Sequence, residues 1–572
     1  MATGPSAESV GSPVGILESR QTGDDVARER ERLEADILIV GGGPAGLSAA
    51  IRLGQLMRDP ATRSGSGREP LVVLVEKGRY IGAHVRSGAV IDPRPFRELM
   101  PDFDERAPLE GRVSEEEVLY LTPRRALRFP DWALPPELKN EGNYVISLSK
   151  VARWMAEEAE RLGVTLLTET SVVEPIIEDG RLVGVRTGPK GLDRDGRPRA
   201  NYDPGTDIYA PVTILAEGAH GTVARVVIRA FGLAEGRQPM IYSGAVKEVI
   251  EVPRKDYPPG KIFTTLGYPA RYGTFGGGFF YDMSGPYVAV GLVYSLDWTD
   301  PDLDLHDELQ RWKLHPYVHQ HLQGGRVVQY SACIIPEGGY YAIPRLYMPG
   351  GLLTGDSAGL VNVPRNKGIH LAVHSGRLAA EVAFAAWQEG DFSETRLAEY
   401  ERRLRESWAW EELYRVRNFR QAFQDGFLLG LLRAGLYRWT GGRLFRDPLP
   451  IRVGHRLVRH GSRAPRPPVR GDGALILDKR SDIARGAPKY DEQPSHLRIV
   501  DAGLCLECQR LYDSPCTKFC PGDVFRWEPS EARVIVSHEN CLHPKICEFA
   551  CPYDNIRWSP PQGGDGPHYT LT

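Results

Sequence analysis

The sequence predicts an α/β protein in three parts: a Rossmann-like domain, a sheet-bearing α+β domain inserted into it, and a small cysteine-rich α+β domain at the C-terminal end. Three observations carry this. A short apolar strand at Ile37–Val40 runs straight into a glycine turn and an apolar helix, the opening of a parallel-sheet βα unit. Between residues 205 and 340 the chain becomes rich in Gly, Tyr, Phe and alternating β-formers, as at Tyr287–Tyr294. Seven of the eight cysteines crowd between Cys505 and Cys551.

Taken in order, residues 1–34 are polar, charged and Gly/Ser-containing, and are expected to form a disordered tail. A first α/β segment spans 35–204. It holds strands at Ile37–Val40 and Leu71–Val75, and a helix from Lys150 to Gly163 with Val151, Trp154, Met155 and Leu162 at helical spacing and a glycine stop. The sheet-bearing insertion occupies 205–340, and 341–390 returns to the first domain through Gly350–Gly376. Two long helices, Glu394–Arg417 and Phe419–Trp439, open a 391–472 segment that ends in a Pro/Arg/Gly-rich connector at 461–472. The cysteine domain is 473–572.

Composition narrows the class. A length of 572 residues, 41% hydrophobic and 25% charged, suits a globular chain of several domains. The net charge of -3 gives no electrostatic footprint for nucleic acid, so none is expected as a partner. Glu8, Glu18, Asp24, Asp25 and Glu29 argue against a signal or transit peptide, and no run of about 20 apolar residues predicts a membrane span. Closely spaced cysteines followed by proline are the pattern of cluster ligands, which points to a reducing, cytoplasmic setting.

Gly41, Gly43 and Gly46 stand at GxGxxG spacing. The first permits the turn, the second lets backbone approach a pyrophosphate, and the third lets helix and strand pack closely. Leu71-Val-Val-Leu-Val-Glu76 then supplies a second strand ending in an acid placed to bind ribose hydroxyls. NAD and FAD share that much. Two later segments choose FAD: Val212-Thr-Ile-Leu-Ala-Glu-Gly218 with His220-Gly221, and Gly351-Leu-Leu-Thr-Gly-Asp-Ser-Ala-Gly359, where Gly355 makes the turn and Asp356 is suited to the ribityl chain. Together they predict a glutathione-reductase-type FAD domain, against the plain alternative of glycine-rich structural turns. With such a cofactor carrying the chemistry, no catalytic acid, base or nucleophile is nominated.

Cysteines stand at 505, 508, 516 and 520, then at 541, 547 and 551. Cys520-Pro-Gly-Asp-Val-Phe-Arg-Trp527 and Cys551-Pro-Tyr-Asp-Asn-Ile-Arg-Trp558 match at five of eight positions, 31 residues apart, an internal repeat that resembles a two-cluster ferredoxin. In such proteins the proline-linked cysteine of each half ligates the other half's cluster. That swap gives a complete set, Cys505, Cys508, Cys516 and Cys551, for a 4Fe-4S cluster. Cys520, Cys541 and Cys547 remain as three, with Pro544 where a fourth ligand is expected. The second set fits a 3Fe-4S cluster, a 4Fe-4S cluster with a non-cysteine ligand, or no cluster. A structural zinc is the alternative for the whole domain.

From about residue 35 onward the chain resembles the electron-transfer flavoprotein:ubiquinone oxidoreductase family. The resemblance rests on Val75-Glu-Lys-Gly-Arg-Tyr-Ile-Gly-Ala-His84 with its Gly82, Ser87-Gly-Ala89, Gly273-Thr-Phe-Gly-Gly-Gly-Phe-Phe-Tyr281, Val363-Pro364 with Lys367-Gly368, and Gly563-Gly564 with Gly566-Pro567. It implies a monotopic membrane protein with FAD, one four-iron cluster and a quinone pocket beside the flavin. Its donor is electron-transfer flavoprotein and its acceptor a membrane quinone. The quinone-contacting glycine pair of the family falls on Gly276 and Gly277. Carried over by position, the family's cluster ligands fall on Cys520, Cys541 and Cys547, and the fourth on Pro544.

The apolar stretch Phe427-Leu-Leu-Gly-Leu-Leu432, with Ala434, Leu436, Tyr437 and Trp439, is too short to span a bilayer and suited to lie in its interface. Ten arginines and one acid between Arg433 and Arg470 favour anionic lipid, against the plain alternative of an ordinary core helix followed by a solvated basic loop. The expected location is the cytoplasmic face of a bacterial inner membrane, peripheral or monotopic. Two rivals remain: an FAD monooxygenase or lipid double-bond reductase fused to a ferredoxin, and a non-catalytic electron-carrying subunit.

Overall fold

The computed structural model describes residues 29–61, 68–86, 90–132, 134, 138–271, 274–440, 447–451, 466–486 and 492–572. Ser87–Ala89, Gly273 and most of the arginine-rich block lie outside them.

Strand β1 (Ile37–Val40) leads into helix α1 (Pro44–Arg58) and strand β2 (Val72–Val75). Helix α2 (Leu148–Arg161) then precedes β3 (Thr165–Leu167) and β4 (Val212–Leu215). The chain next builds a second sheet from β5 (Tyr242–Glu251), β6 (Lys261–Gly267), β7 (Gly276–Asp282), β8 (Tyr287–Ser295) and, after helix α3 (Leu305–Lys313), β9 (Arg326–Pro336). It returns to the first sheet with β10 (Gly351–Leu353) and helix α4 (Ile369–Glu389).

In the first sheet the order is Tyr347–Met348, β10, β4, β1, β2, β3, parallel throughout except at the Tyr347–Met348 edge. Every residue of β1, β2 and β4 is buried, so they read as continuous apolar runs, as strands covered on both faces must. Helices α1 and α4 pack together closely because Gly376 has no side chain: a Cβ there would lie 2.1 Å from the Ala45 carbonyl oxygen. Helix α2 starts where Ser147 accepts from the Lys150 amide, and Gly163 takes the left-handed φ of 92° just past its end.

The second sheet runs β9, β5, β8, β7, β6, then Glu115–Leu121 and Ala126–Arg128. Those last two strands lie ahead of the 205–340 segment expected from the sequence, and they join because Glu115–Leu121 pairs in parallel with β6. Helix α3 lies against this sheet with Trp312 over Gly278, where a Cβ would come within 2.5 Å of the indole. The indole N–H donates to the Thr265 hydroxyl at 2.8 Å.

Two expectations need correction. Residues Glu31–Glu34 form a strand, paired in parallel with Thr206–Tyr209 and anchored by the Arg30–Asp207 ion pair at 2.7 Å, so the N-terminal tail is shorter than 1–34. The two long helices are broken into α5 (Glu394–Arg405), α6 (Trp408–Arg415), a short turn of helix at Phe419–Ala422, and α7 (Phe427–Thr440). Gly426, at φ 111°, turns the chain immediately before α7.

The cysteine domain is built on α8 (Ala502–Tyr512), α9 (Cys516–Phe519) and α10 (Ile546–Ala550). Two hairpin-like pairs accompany them, Leu497–Ile499 with Ile556–Trp558 and Phe525–Glu528 with Arg533–Val536. Its last residues run back over the first domain. The Gly564 amide donates to the Lys77 carbonyl and Tyr569 to Ala83, while the Thr572 carbonyl accepts from Ser149.

Candidate functional site

A cavity of ≈ 320 Å³ opens where the three parts meet, within the size range of small-molecule sites. Gly41, Gly43, Glu76, Gly82, Gly218 and Asp356 line it from the first sheet and its turns. From the second sheet come Ala245, Phe279, Val293, Ile334 and Ile335, and from the cysteine domain His543, Pro544 and Lys545.

Each predicted glycine has a distinct steric reason. Gly41 sits at φ 110° with a Cβ position 2.3 Å from the Ala216 carbonyl oxygen, and at Gly46 a Cβ would meet the Gly41 carbonyl oxygen at 1.9 Å. These two close the strand–turn–helix junction. Gly43 differs: nothing lies within 4 Å of its Cβ position, so its bare backbone is a wall of the cavity at the N-terminus of α1. Gly82 and Gly218 hold left-handed turns at φ 93° and 74°. Gly355, at φ 55°, packs against Ala45 and Ala372 behind the wall rather than on it.

Glu76 accepts hydrogen bonds from the Gly42 and Gly78 amides, both at 2.8 Å, which fixes its carboxylate at the end of β2. Burial pushes the Asp356 carboxyl up to about 6. The sequence reading did not nominate the cavity's cations as site residues. Lys77 and Lys247 are brought down to about 8, and Lys367 and Lys545 to about 7, in each case first by burial. Four lysine amines around one space, Lys247, Lys367 and Lys545 buried and Lys77 partly so, suit a polyanion such as a dinucleotide pyrophosphate, which favours their charged forms. Lys77 and Lys367 were visible only inside longer motifs, and nothing in local patterning marked Lys247 or Lys545. A glycine-walled N-terminus, a fixed carboxylate at the second strand and an electropositive interior together fit FAD.

Gly276 and Gly277 open β7, two to three residues before Phe279, and are not themselves among the lining residues. A Cβ at Gly277 would stand 2.0 Å from the Thr265 carbonyl oxygen, so this pair is also constrained by packing.

Cys505, Cys508, Cys516 and Cys551 line one small apolar pocket with Phe519, Phe525 and Ile556. Burial, with Cys551 and Cys505 as neighbours, drives the Cys508 thiol up to about 12. Cys516 is raised by burial and then by Cys508, Cys551 and Cys505. Cys520, Cys541 and Cys547 form a second, fully enclosed set: burial and Cys520 push Cys541 up to about 12, and burial, Cys541 and Cys520 raise Cys547. In the protein alone burial holds both sets as neutral thiols, and a cluster would take them as thiolates.

No three thiols among the described residues are close enough together to share a single zinc. Zn–S bonds of about 2.3 Å set sulfurs roughly 3.8 Å apart. Among the described residues, the groups of three potential ligand atoms within 4.8 Å of one another are His496–Cys541–His543 and Glu248–His306–Asp482, and no three thiols are that close. Spread thiols receiving N–H bonds, as Cys541 from the His543 amide and Cys551 from the Asn555 amide, both at 3.3 Å, suit polynuclear iron-sulfur clusters.

Comparison with known proteins gives concordant results. The ubiquinone-binding family model of ETF-QO matches residues 242–335, and the 4Fe-4S family model of electron transfer flavoprotein-ubiquinone oxidoreductase matches 473–570. The mitochondrial electron transfer flavoprotein-ubiquinone oxidoreductase of Oryza sativa subsp. japonica is 38% identical over 557 residues, covering 95% of this chain and 94% of that protein. Its Homo sapiens counterpart is 38% identical over 569 residues, covering 96% and 90%. Among solved structures, a geranylgeranyl bacteriochlorophyll reductase-like protein from Thermoplasma acidophilum aligns with a TM-score of 0.53 at 21% identity, over 73% of this chain and 94% of that one. That similarity is one of fold.

Proposed function

The chain belongs to the electron transfer flavoprotein-ubiquinone oxidoreductase family, and we propose that the cavity described above holds its FAD and that the four-thiol set Cys505, Cys508, Cys516 and Cys551, rather than the three-thiol set on which the family's own cluster ligands fall, holds a 4Fe-4S cluster. It is an oxidoreductase that takes electrons from electron transfer flavoprotein and passes them through iron-sulfur and FAD centres to a quinone. The observation that carries the site assignment is the convergence of Gly43, Glu76, Phe279 and Pro544, one or more residues from each part, on one space.

FAD supplies a carrier that exchanges electrons singly or in pairs, which is what joins one-electron centres to a two-electron quinone. The protein's own part is positional. Gly43 lets backbone reach the pyrophosphate, Glu76 is oriented toward a ribose by two amides, and the buried lysines balance the cofactor's charge. Phe279, Val293, Ile334 and Ile335 keep one wall apolar, as a quinone ring and an excluded solvent require. Gly276 and Gly277 are assigned to the quinone side by the family resemblance, and they stand at the head of β7 outside the cavity lining.

The test is anaerobic purification, flavin and iron-sulfide analysis, then reduction of a short-chain quinone with reduced electron transfer flavoprotein as donor. Colourless protein, or zinc in place of iron, refutes the site assignment. Oxygen-dependent NAD(P)H oxidation would instead support a monooxygenase.

We place the chain peripherally on the cytoplasmic face of a bacterial inner membrane. No described helix is long and apolar enough to cross a membrane. Helix α7 nevertheless exposes Leu429, Leu431 and Leu432, at 41%, 47% and 59%, large apolar side chains spread over about half its circumference that a water-facing helix does not need. Flotation with anionic vesicles tests membrane binding, and protease accessibility in spheroplasts tests the face.

A further inference from the structure

We propose that Cys520, Cys541 and Cys547 hold a second cluster, of three irons, whose missing corner is Pro544. This rests on the assignment of the four-iron cluster to Cys505, Cys508, Cys516 and Cys551, and deepens it.

The repeat seen in the sequence recurs in three dimensions. Cys520 ends α9 at φ -69° and ψ 117°, and Cys551 ends α10 at φ -69° and ψ 119°. Each is followed by proline and then by an aspartate in the left-handed region, Asp523 at φ 48° and Asp554 at φ 49°. Each then enters a short strand, Phe525–Glu528 or Ile556–Trp558. The two halves are thus built alike, and the thiols divide across them. Cys551, from the second half, lines one pocket with Cys505, Cys508 and Cys516, while Cys520, from the first, lies outside that pocket and is buried in one core with Cys541 and Cys547. A half that keeps this architecture around three inward thiols has kept a ligand to wrap.

The loop between Cys541 and Cys547 bears the mark of that ligand. His543 and Lys545 adopt φ 54° and 60°, on either side of Pro544. Left-handed non-glycine residues are costly and persist where the surroundings demand them, and such turns make concave arrays of amides that receive anionic sulfur clusters. The His543 amide already donates to the Cys541 Sγ at 3.3 Å.

What completes the fourth corner is then decided by chemistry. Proline has no side-chain donor atom. His543, next to Pro544 in sequence, has a ring nitrogen within 4.8 Å of the Cys541 sulfur and of a His496 nitrogen. That is too close to serve the next iron of a cube, whose ligands sit on separate metals. Its ring is instead packed with His496, His84 and Trp558, at centroid distances of 4.9, 5.6 and 5.9 Å. Three thiolates without a fourth ligand match a cuboidal cluster lacking one iron.

The experiment uses the whole chain purified without oxygen, read by iron and sulfide analysis and by EPR. A three-iron cluster is paramagnetic when oxidised, and a ferredoxin-type four-iron cluster when reduced. The expected result is one signal in each state, with about seven irons per chain for the two cluster types together. Pro544→Cys supplies the missing thiolate, so the oxidised-state signal should vanish and the iron count rise by one, with the original reduced-state signal kept. Cys505→Ser guards against damage products: it should weaken the reduced-state signal and leave the oxidised-state signal intact.

An oxidised protein without a signal overturns the proposal, whether it carries about eight irons, through a non-cysteine ligand, or about four, with no second cluster. An oxidised-state signal abolished by Cys505→Ser also overturns it. Protein without iron refutes the four-iron assignment itself, a distinguishable failure.

Discussion

Replacing Gly43 by alanine separates the roles that the three turn glycines play. In the protein alone the new methyl meets nothing within 4 Å, and Gly43 has an extended φ of -86° that alanine adopts freely. Loss of glycine's freedom in the unfolded chain stabilises by about 0.4–1 kcal/mol. Alanine is a poor helix N-cap, which costs about 1 kcal/mol or less relative to a good one. The two nearly cancel, so the flavin-free variant should unfold in urea within ~1 kcal/mol of the parent. Gly46→Ala is the contrast: its Cβ would stand 1.9 Å from the Gly41 carbonyl oxygen where ordinary contact begins at 3.4 Å. Overpacking of that kind costs about 1–3 kcal/mol or more. For cofactor binding the order reverses in meaning, since Gly43 lines the cavity proposed for FAD and a methyl there would take up space on the wall assigned to the pyrophosphate. A loss of at least tenfold in FAD affinity, about 1.4 kcal/mol, is expected from Gly43→Ala. Flavin-stripped protein titrated with FAD, alongside urea unfolding without it, reads both quantities. Gly43→Ala protein that binds FAD as tightly as the parent, or that is destabilised as much as Gly46→Ala, would refute the assignment of this wall to the pyrophosphate.

Three further outcomes follow from particular groups. Lys77 and Lys367, lowered by burial to about 8 and about 7, are partly neutral above those values in the empty cavity; binding a polyanion favours their charged forms, so FAD binding takes up protons. Its affinity should therefore fall as pH rises through about 7 to 9, by up to about tenfold per unit for each lysine, and calorimetry in two buffers that finds no proton uptake would count against them. Lys313 and Glu248 form a pair at 2.5 Å with both side chains fully buried, and Lys313→Met strands a carboxyl beside Asp482; a loss of about 3–5 kcal/mol in urea unfolding is expected, largely recovered by adding Glu248→Gln. Replacing Leu429, Leu431 and Leu432 together by glutamine should abolish flotation with anionic vesicles while leaving flavin and iron content unchanged, and persistent flotation would remove α7 as the membrane contact.

What local sequence could and could not reveal divides along the range of the forces involved. Gly41, Gly43, Gly46 and Glu76 were legible because a βα turn imposes its steric demands within some 35 residues of chain. The seven cysteines were legible because ligand spacing is a local matter, and the repeat made their cross-pairing readable as well. The strand Glu115–Leu121 was not, because its place in the second sheet is set by pairing with Lys261–Gly267, nearly 150 residues later. The breaks among α5, α6 and α7 were missed for a related reason: the apolar spacing continues across them, and it is tertiary packing, together with the turn at Gly426, that bends the chain.

The same distinction explains the buried lysines. A lysine read in sequence is presumed to be solvated, and no periodicity marks the few that fold inward. Lys77, Lys247, Lys367 and Lys545 come from four distant segments, and each alone would be a costly burial. Protein groups offset part of that cost, as where Lys545 donates to the His220 carbonyl at 2.7 Å, and a bound polyanion would offset more, so the cavity's electrostatics support one alongside the glycine pattern. Pro544 lines the same cavity. The segment carrying it, His543–Lys545, is shared between the cavity wall and the second thiol set. On the proposed assignments, a change of ligand there falls beside the flavin, because His543, Pro544 and Lys545 line its cavity.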